Sequence, residues 1–202
     1  MHPVSTPKTR GRPREFDIET ALDQAIGVFR ERGYHGTSVA DIRRATSLTA
    51  GSIYKAFPDK YAVFLAAFDR YVATSEAVRA AKAARNAPGR DILRDVLDNY
   101  SAMSSGVEGQ RGCLIISSAV EMAALDDVMG QRVRNVLARF EALLASIIRQ
   151  GKADGSIRAN VDEAAASRLI LSLALGMRVV GKAGRTRAEM TAVVDLAMAI
   201  VT

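Results

Sequence analysis

Thr49, Ala50, Gly51 and Ser52, followed by Tyr54, Lys55 and Lys60, are the residues whose types and spacing best suit recognition chemistry in this sequence. The first four keep a helix start slim, so that backbone amides and hydroxyls can approach phosphates and base edges. The other three are expected to project outward toward phosphates, the lysines through a salt-sensitive attraction. A short protruding helix with small or polar residues first and cations after fits the major groove of double-stranded DNA. Arg43 and Arg44 on the preceding segment, and Thr37 and Ser38 at its start, extend the candidate contact set.

Such a helix needs a frame. Leu22, Ala25, Ile26 and Phe29 recur with Ile18 at helical spacing, which predicts a first helix from about Asp17, its N-cap, to Arg32, closed by Gly33. Gly36 permits a turn, and Thr37 or Ser38 then caps a second helix through about Ala45. Ser47 to Thr49 turn the chain into a third helix, about Ala50 to Ala56. Its Ile53 and Phe57 should point inward onto Ile42, Val39 and Phe29. This is a helix-turn-helix.

The segment from Phe29 to Ile42, with Gly33, Tyr34, Gly36, Thr37 and Ser38, and that from Thr49 to Lys60 resemble the N-terminal domain of the TetR/AcrR family of bacterial transcriptional regulators. The specific match covers about Phe16 to Tyr71. In that family the positions of Thr37, Thr49, Gly51, Ser52, Tyr54 and Lys60 are associated with operator contacts. Three positions depart from the family pattern: Ser47 stands where glycine is usual in the turn, Arg43 replaces the usual alanine, and Ala56 replaces a common aromatic.

The remainder reads helical throughout, with no segment patterned as a strand. The expected fold is all-α with about nine helices. It divides into a basic arm at 1–14, a DNA-binding domain at 15–60, a connecting helix within 61–88, and a ligand-binding and dimerisation domain at 89–202. Five helices are expected in the last part, near 90–105, 111–125, 127–151, 162–182 and 187–201. The arm carries Lys8, Arg10, Arg12 and Arg14 with no acid, four of the six excess positive charges. Arg12 and Arg14 are its candidate phosphate or minor-groove contacts.

A seven-residue recognition helix reads few base pairs, so specificity calls for two copies on a palindrome. The terminal helix pair offers the expected homodimer face, through Leu169, Leu173, Gly176, Met177, Val180, Val194, Ala197 and Met198. The family resemblance also implies an inducer pocket beyond Pro88, whose occupant reorients the connecting helix. Its candidate lining is Tyr100, Met103, Cys113, Ser117, Glu121, Met122, Phe140 and Met177, a methionine-rich set suited to a small apolar ligand. Glu121 could anchor a cationic or hydroxyl-bearing group, or simply face solvent. Cys113, after Arg111 and Gly112, could be a reactive thiol or a small buried side chain.

Other classes fare poorly. One cysteine excludes an internal disulfide, and with His2 and His35 as the only histidines no metal site or catalytic triad is expected. No cofactor is expected. An enzyme, or a helical scaffold with a vestigial helix-turn-helix, are the rival readings. The apolar run from Leu169 to Met177 reads as too short for a bilayer and the start lacks the apolar segment of a signal peptide, so a cytoplasmic protein without membrane partners is expected. The expected partners are operator DNA, an unidentified small-molecule inducer and a second copy of the chain.

Overall fold

The computed structural model describes residues 18–47 and 50–201, apart from the side chains of Ala50, Ser52 and Tyr54. Among them the chain forms ten α-helices and no strand: α1 Ile18–Arg32, α2 Val39–Thr46, α3 Ala50–Ala56, α4 Lys60–Ala83, α5 Gly89–Met103, α6 Gly106–Arg111, α7 Leu114–Glu121, α8 Asp127–Ala153, α9 Glu163–Lys182 and α10 Arg187–Val201. The expected N-cap Asp17 lies outside the described residues. Ile18, placed in the apolar stripe of α1 by spacing, is exposed, while Ala21, Leu22, Ala25, Ile26 and Phe29 form the buried face.

Local chemistry sets most boundaries. Gly33 closes α1 at φ +71, donating its amide to Phe29 O at 2.9 Å. Ser38 caps α2 in a reciprocal capping box, with its hydroxyl accepting from Asp41 N and Asp41 accepting from Ser38 N. Asp59, Asp126 and Asp162 cap α4, α8 and α9 without that return bond, each carboxylate taking an amide of the first turn. The helix expected over 111–125 is only α7, Leu114–Glu121, and a short helix not expected from the sequence, α6, precedes it, the chain breaking between them at Gly112. That residue lies at φ +85, ψ −170, open to glycine and costly for anything else.

Two apolar cores form, and they do not part at Pro88. The first joins α5, the C-terminal half of α8, α9 and α10 around Leu93, Leu97, Leu144 and Ile170. The second joins α1 to α4 with α7 and the start of α8, around Phe29, Phe64, Phe68, Leu114 and Met129. Helix α4, 24 residues and about 36 Å long, runs through the seam between them. Tyr61 near its start donates to Asp126 at 2.8 Å, tying α4 to the head of α8.

Helix α9 covers the helix expected over 162–182 and carries the apolar run on past Arg178 to Lys182. By length and mean hydropathy (1.4) it reaches what a bilayer-spanning helix needs, contrary to the expectation above. It is nonetheless packed in the fold against α5, α6, α7, α8 and α10, with Arg178 buried.

Two expectations follow. Ser47 adopts φ +53, a left-handed geometry that costs a residue with a Cβ. Ser47→Gly should therefore stabilise the protein by roughly 0.5–1 kcal/mol, net of the extra freedom glycine gains when unfolded. The readout is a higher urea midpoint at constant m value, and a lower midpoint would contradict the strain. Asp126 is held below the usual carboxylate range by the Met129 amide and then the Tyr61 hydroxyl, while burial and then Asp126 push Tyr61 up to about 12. A depressed carboxylate contributes stability above its unfolded pKa and loses it as pH falls through the folded value. The melting temperature should thus fall on acidification below about pH 4, and less steeply in Asp126→Asn, which should be weaker at neutral pH.

Candidate DNA-binding surface and the cavity behind it

Helices α2 and α3 form the reading hairpin. Ile42 and Ile53 are buried in the second core with Phe29, and Phe57 packs against it half-buried, which fixes the hairpin's pose. Gly51 and Lys55 on α3, with Arg43 and Arg44 on α2, are exposed. Asp41 pairs with Arg32 at 2.9 Å and more loosely with Arg44 at 3.4 Å, whereas Arg43 makes no ion pair among the described residues. Ser38 is exposed, its hydroxyl engaged by Asp41 in the cap. Arg12, Arg14 and Thr49 lie outside the described residues, and of Ala50, Ser52 and Tyr54 only the helical backbone is described.

Two expected contacts prove to be internal. Thr37 is 1% exposed and its hydroxyl donates to Gly33 O at 2.6 Å, satisfying a carbonyl at the end of α1. Lys60 does not project outward. Its Nζ donates to Tyr34 O and Thr37 O, both at 3.0 Å, and sits 4.1 Å from the centroid of the Tyr34 ring. Both residues hold the loop that launches α2.

Behind the hairpin, the end of α1 is gripped by the C-terminal half of the chain. Glu121, at the end of α7, accepts from the amides of Tyr34 at 2.9 Å and His35 at 3.3 Å. A Cβ at Gly33 would stand 1.8 Å from that carboxylate, so glycine is needed there for space as well as for φ. Glu121 is thus a tether between the two halves, neither solvent-facing nor in the cavity described below. Lys182 on α9 donates to Arg30 O and Glu31 O, each at 3.1 Å, covering the exposed carbonyls of the last turn of α1. Arg30 pairs with Glu108 and donates to Gly112 O through Nε at 3.0 Å and Nη2 at 2.8 Å. Arg178 Nη2 reaches the same carbonyl at 2.6 Å.

Arg178 and Cys113 separate this seam from a cavity of about 180 Å³ lying between α4, α5, α7 and α9. Of the expected lining, Tyr100, Met103 and Cys113 face the cavity. Ser117 and Glu121 line the seam instead. Met122 belongs to the second core and Met177 to the first. Phe140 stacks on Tyr100 at 5.3 Å, behind the wall. Absent from the sequence reading were Arg79 and Arg178, 5% and 2% exposed, which turn an apolar pocket into a cationic one. Their signal was in the sequence: Arg178 is the one charge between Arg168 and Lys182 on an otherwise apolar helix. Burial pushes the hydroxyls of Tyr71 and Tyr100 above the ordinary tyrosine value.

The terminal helices present an apolar outer face that holds Leu169, Leu173, Gly176 and Val180 of the expected set but not its other four residues. Met177, Val194, Ala197 and Met198 are buried in the first core, because α10 packs back on α5 and α9 within one protomer. Leu169 and Val180 are exposed, and Leu173 and Gly176 lie half-buried between them, making one stripe along α9. Leu196 and Ile200 continue it on α10.

With this geometry in place, comparison with known proteins identifies the type. Residues 21–67 match the family model described as bacterial regulatory proteins, tetR family, and residues 89–196 match that of the tetracyclin repressor-like C-terminal domain. The HTH-type transcriptional repressor ComR of Escherichia coli is 26% identical over 180 residues, covering 88% of this chain and 85% of ComR. The uncharacterised HTH-type regulator YezE of Bacillus subtilis is 26% identical over 194 residues, 94% of this chain and 98% of YezE. Among solved structures, a cysteine mutant of the TetR-family regulator CifR bound to a 26-bp operator duplex superposes with a TM-score of 0.83 at 27% identity, covering 95% of this chain and all of that one. An outward helix-turn-helix, a cavity behind it and a match across both halves agree: the chain belongs to the TetR family of bacterial transcriptional regulators.

Proposed function

We propose that this regulator is a repressor that occupies a palindromic operator as a homodimer and lets go when a small molecule enters the cavity behind the hairpin. The observation that carries this reading is the grip of α9 and α7 on the end of α1, which gives a ligand in the C-terminal half a mechanical path to the DNA-reading hairpin. Gly112, Glu121 and Lys182 hold the loop and helix end from which α2 departs. A ligand that favours a different pose of α4, α7 or α9 changes the spacing of two recognition helices, by as much as its affinity for the two poses differs. Repression needs only occupancy of the operator, and the name of the repressor ComR points the same way.

The dimer reading is supported by the Leu169–Val180 stripe with Leu196 and Ile200, an apolar face larger than scattered surface residues account for. The division of labour is a basic arm at 1–14, a reading domain at 15–60, a connector at 61–88 and a sensing and pairing domain from 89 onward, acting on DNA in the cytoplasm.

Two experiments test the proposal. With a palindromic duplex from beside the protein's own gene, Arg43→Ala and Lys55→Ala should each lower the slope of log K against log salt by about one. Lys60→Met should weaken binding with that slope unchanged and lower the melting temperature, since the lysine caps two carbonyls. Equal binding to every duplex at moderate salt would refute the operator reading. For the second, Val180→Glu with Leu196→Glu alters positions 41% and 69% exposed, so the protomer should stay folded. Sedimentation should then show monomers with operator affinity reduced at least tenfold, and an intact dimer would put the interface elsewhere.

A further inference from the structure

Arg79 and Arg178 are among the most deeply buried charges of the described residues, and neither forms an ion pair there. Arginine does not shed its proton in proteins, so a buried guanidinium must be answered by hydrogen bonds or by an opposite charge. Arg79 is partly answered: Nη1 donates to Tyr100 Oη at 3.2 Å and the group lies 4.7 Å from the centroid of the Phe140 ring. Arg178 gives Nη2 to Gly112 O, but its Nε and Nη1 are buried with no acceptor among the described residues. Both line the same cavity, and the fields of both reach the Tyr100 hydroxyl. The rest of the wall is neutral, including Tyr71, Val78, Met103 and Ile115.

From this arrangement we infer that the cavity binds a small organic carboxylate, its head between Arg178 and Arg79 and its apolar body against Tyr71, Val78 and Ile115. Guanidinium and carboxylate form strong charge-assisted hydrogen bonds, stronger still where water is excluded. The volume limits the rest of the molecule. A void of about 150 Å³ admits benzene, so about 180 Å³ suits a one-ring acid or a short-chain acid. The inference replaces the flexible or small apolar inducer expected from methionine content. It rests on the regulator reading above and names the ligand class for it. It also supplies a route outward, because the arginine that meets the carboxylate shares the Gly112 carbonyl with Arg30 of α1.

The test uses the full-length protein without DNA, at fixed ionic strength, with benzoate and hexanoate as probes and benzamide and hexanamide as uncharged twins. At least one acid should raise the melting temperature by about 3 °C at tenfold excess over its Kd, while its amide leaves it unchanged. Arg178→Met should weaken that acid at least tenfold, and Arg79→Met likewise, which covers the case in which one variant fails to fold. No shift with either acid, equal shifts with the amides, an equal shift with inorganic phosphate, or undiminished binding in both arginine variants would each overturn the assignment. Operator binding is measured separately on the ligand-free protein. A protein that binds its operator but neither acid thus fails only the ligand assignment, and one that binds the acid but no operator fails only the regulator reading.

Discussion

The carbonyl of Gly112 takes hydrogen bonds from Arg30 Nε and Nη2 on α1 and from Arg178 Nη2 on α9. A carbonyl oxygen has two lone pairs, so three N–H groups from two cations saturate it, and each bond to a charged donor is worth about 1.5–3 kcal/mol. The backbone can aim this oxygen into the seam only because residue 112 lies at φ +85. A Cβ there would also stand 2.9 Å from Lys182 Nζ and 3.0 Å from Arg30 O. The break between α6 and α7, the position of Cys113 and the approach of α9 to α1 all follow from that turn. Moving Arg178 therefore perturbs Arg30, and with it the helix on which the reading hairpin is built.

The second core explains why such a perturbation does not dissipate at the seam. Leu114, Ile115, Met122, Met129 and Val133 pack directly with Phe29, Phe64 and Phe68, so α7 and the start of α8 share one apolar interior with the DNA-reading helices. Close-packed interiors transmit displacement because there are few voids to absorb it. Around this core the polar links are directional. Glu121 holds the amides after α1, Lys182 its last carbonyls, and Asp126 the hydroxyl of Tyr61 on α4. The hairpin is thus carried by α7, the head of α8 and the end of α9 as well as by the connecting helix.

What the sequence disclosed was what local chemistry controls. Helix periodicity, the cap at Ser38, the stop at Gly33 and the inward pair Ile53 and Phe57 could be read because each depends on residues within one or two turns. The family resemblance carried the fold class and the kind of partner. What stayed hidden depends on residues far apart in the chain. Lys60 is the clear case, because nothing local shows that its amine meets the carbonyls of Tyr34 and Thr37, 26 and 23 residues away. Met177, Val194, Ala197 and Met198 were assigned to a partner because an apolar stripe does not say whether its cover comes from the same protomer. Glu121 was open between two roles, and its actual partners lie 86 and 87 residues away.

Arg178 shows the same limit from the other side. On sequence it stands as the one charge between Arg168 and Lys182 of a helix expected over 162–182, and nothing local shows that its side chain is buried and not in solvent. A charge placed there is costly unless several demands are met together, and the surroundings meet them unevenly. Nη2 is held by the backbone of the seam, while Nε and Nη1 are buried with no acceptor among the described residues, in a side chain that lines the cavity. Were Arg178 only a structural clamp on Gly112, a shorter lysine or a neutral donor would satisfy that carbonyl with less desolvation. The added cost is explained if the group also has a second, negatively charged partner. One arginine then serves both the cavity and the seam, and the tightness of its bond to Gly112 becomes sensitive to what the cavity holds.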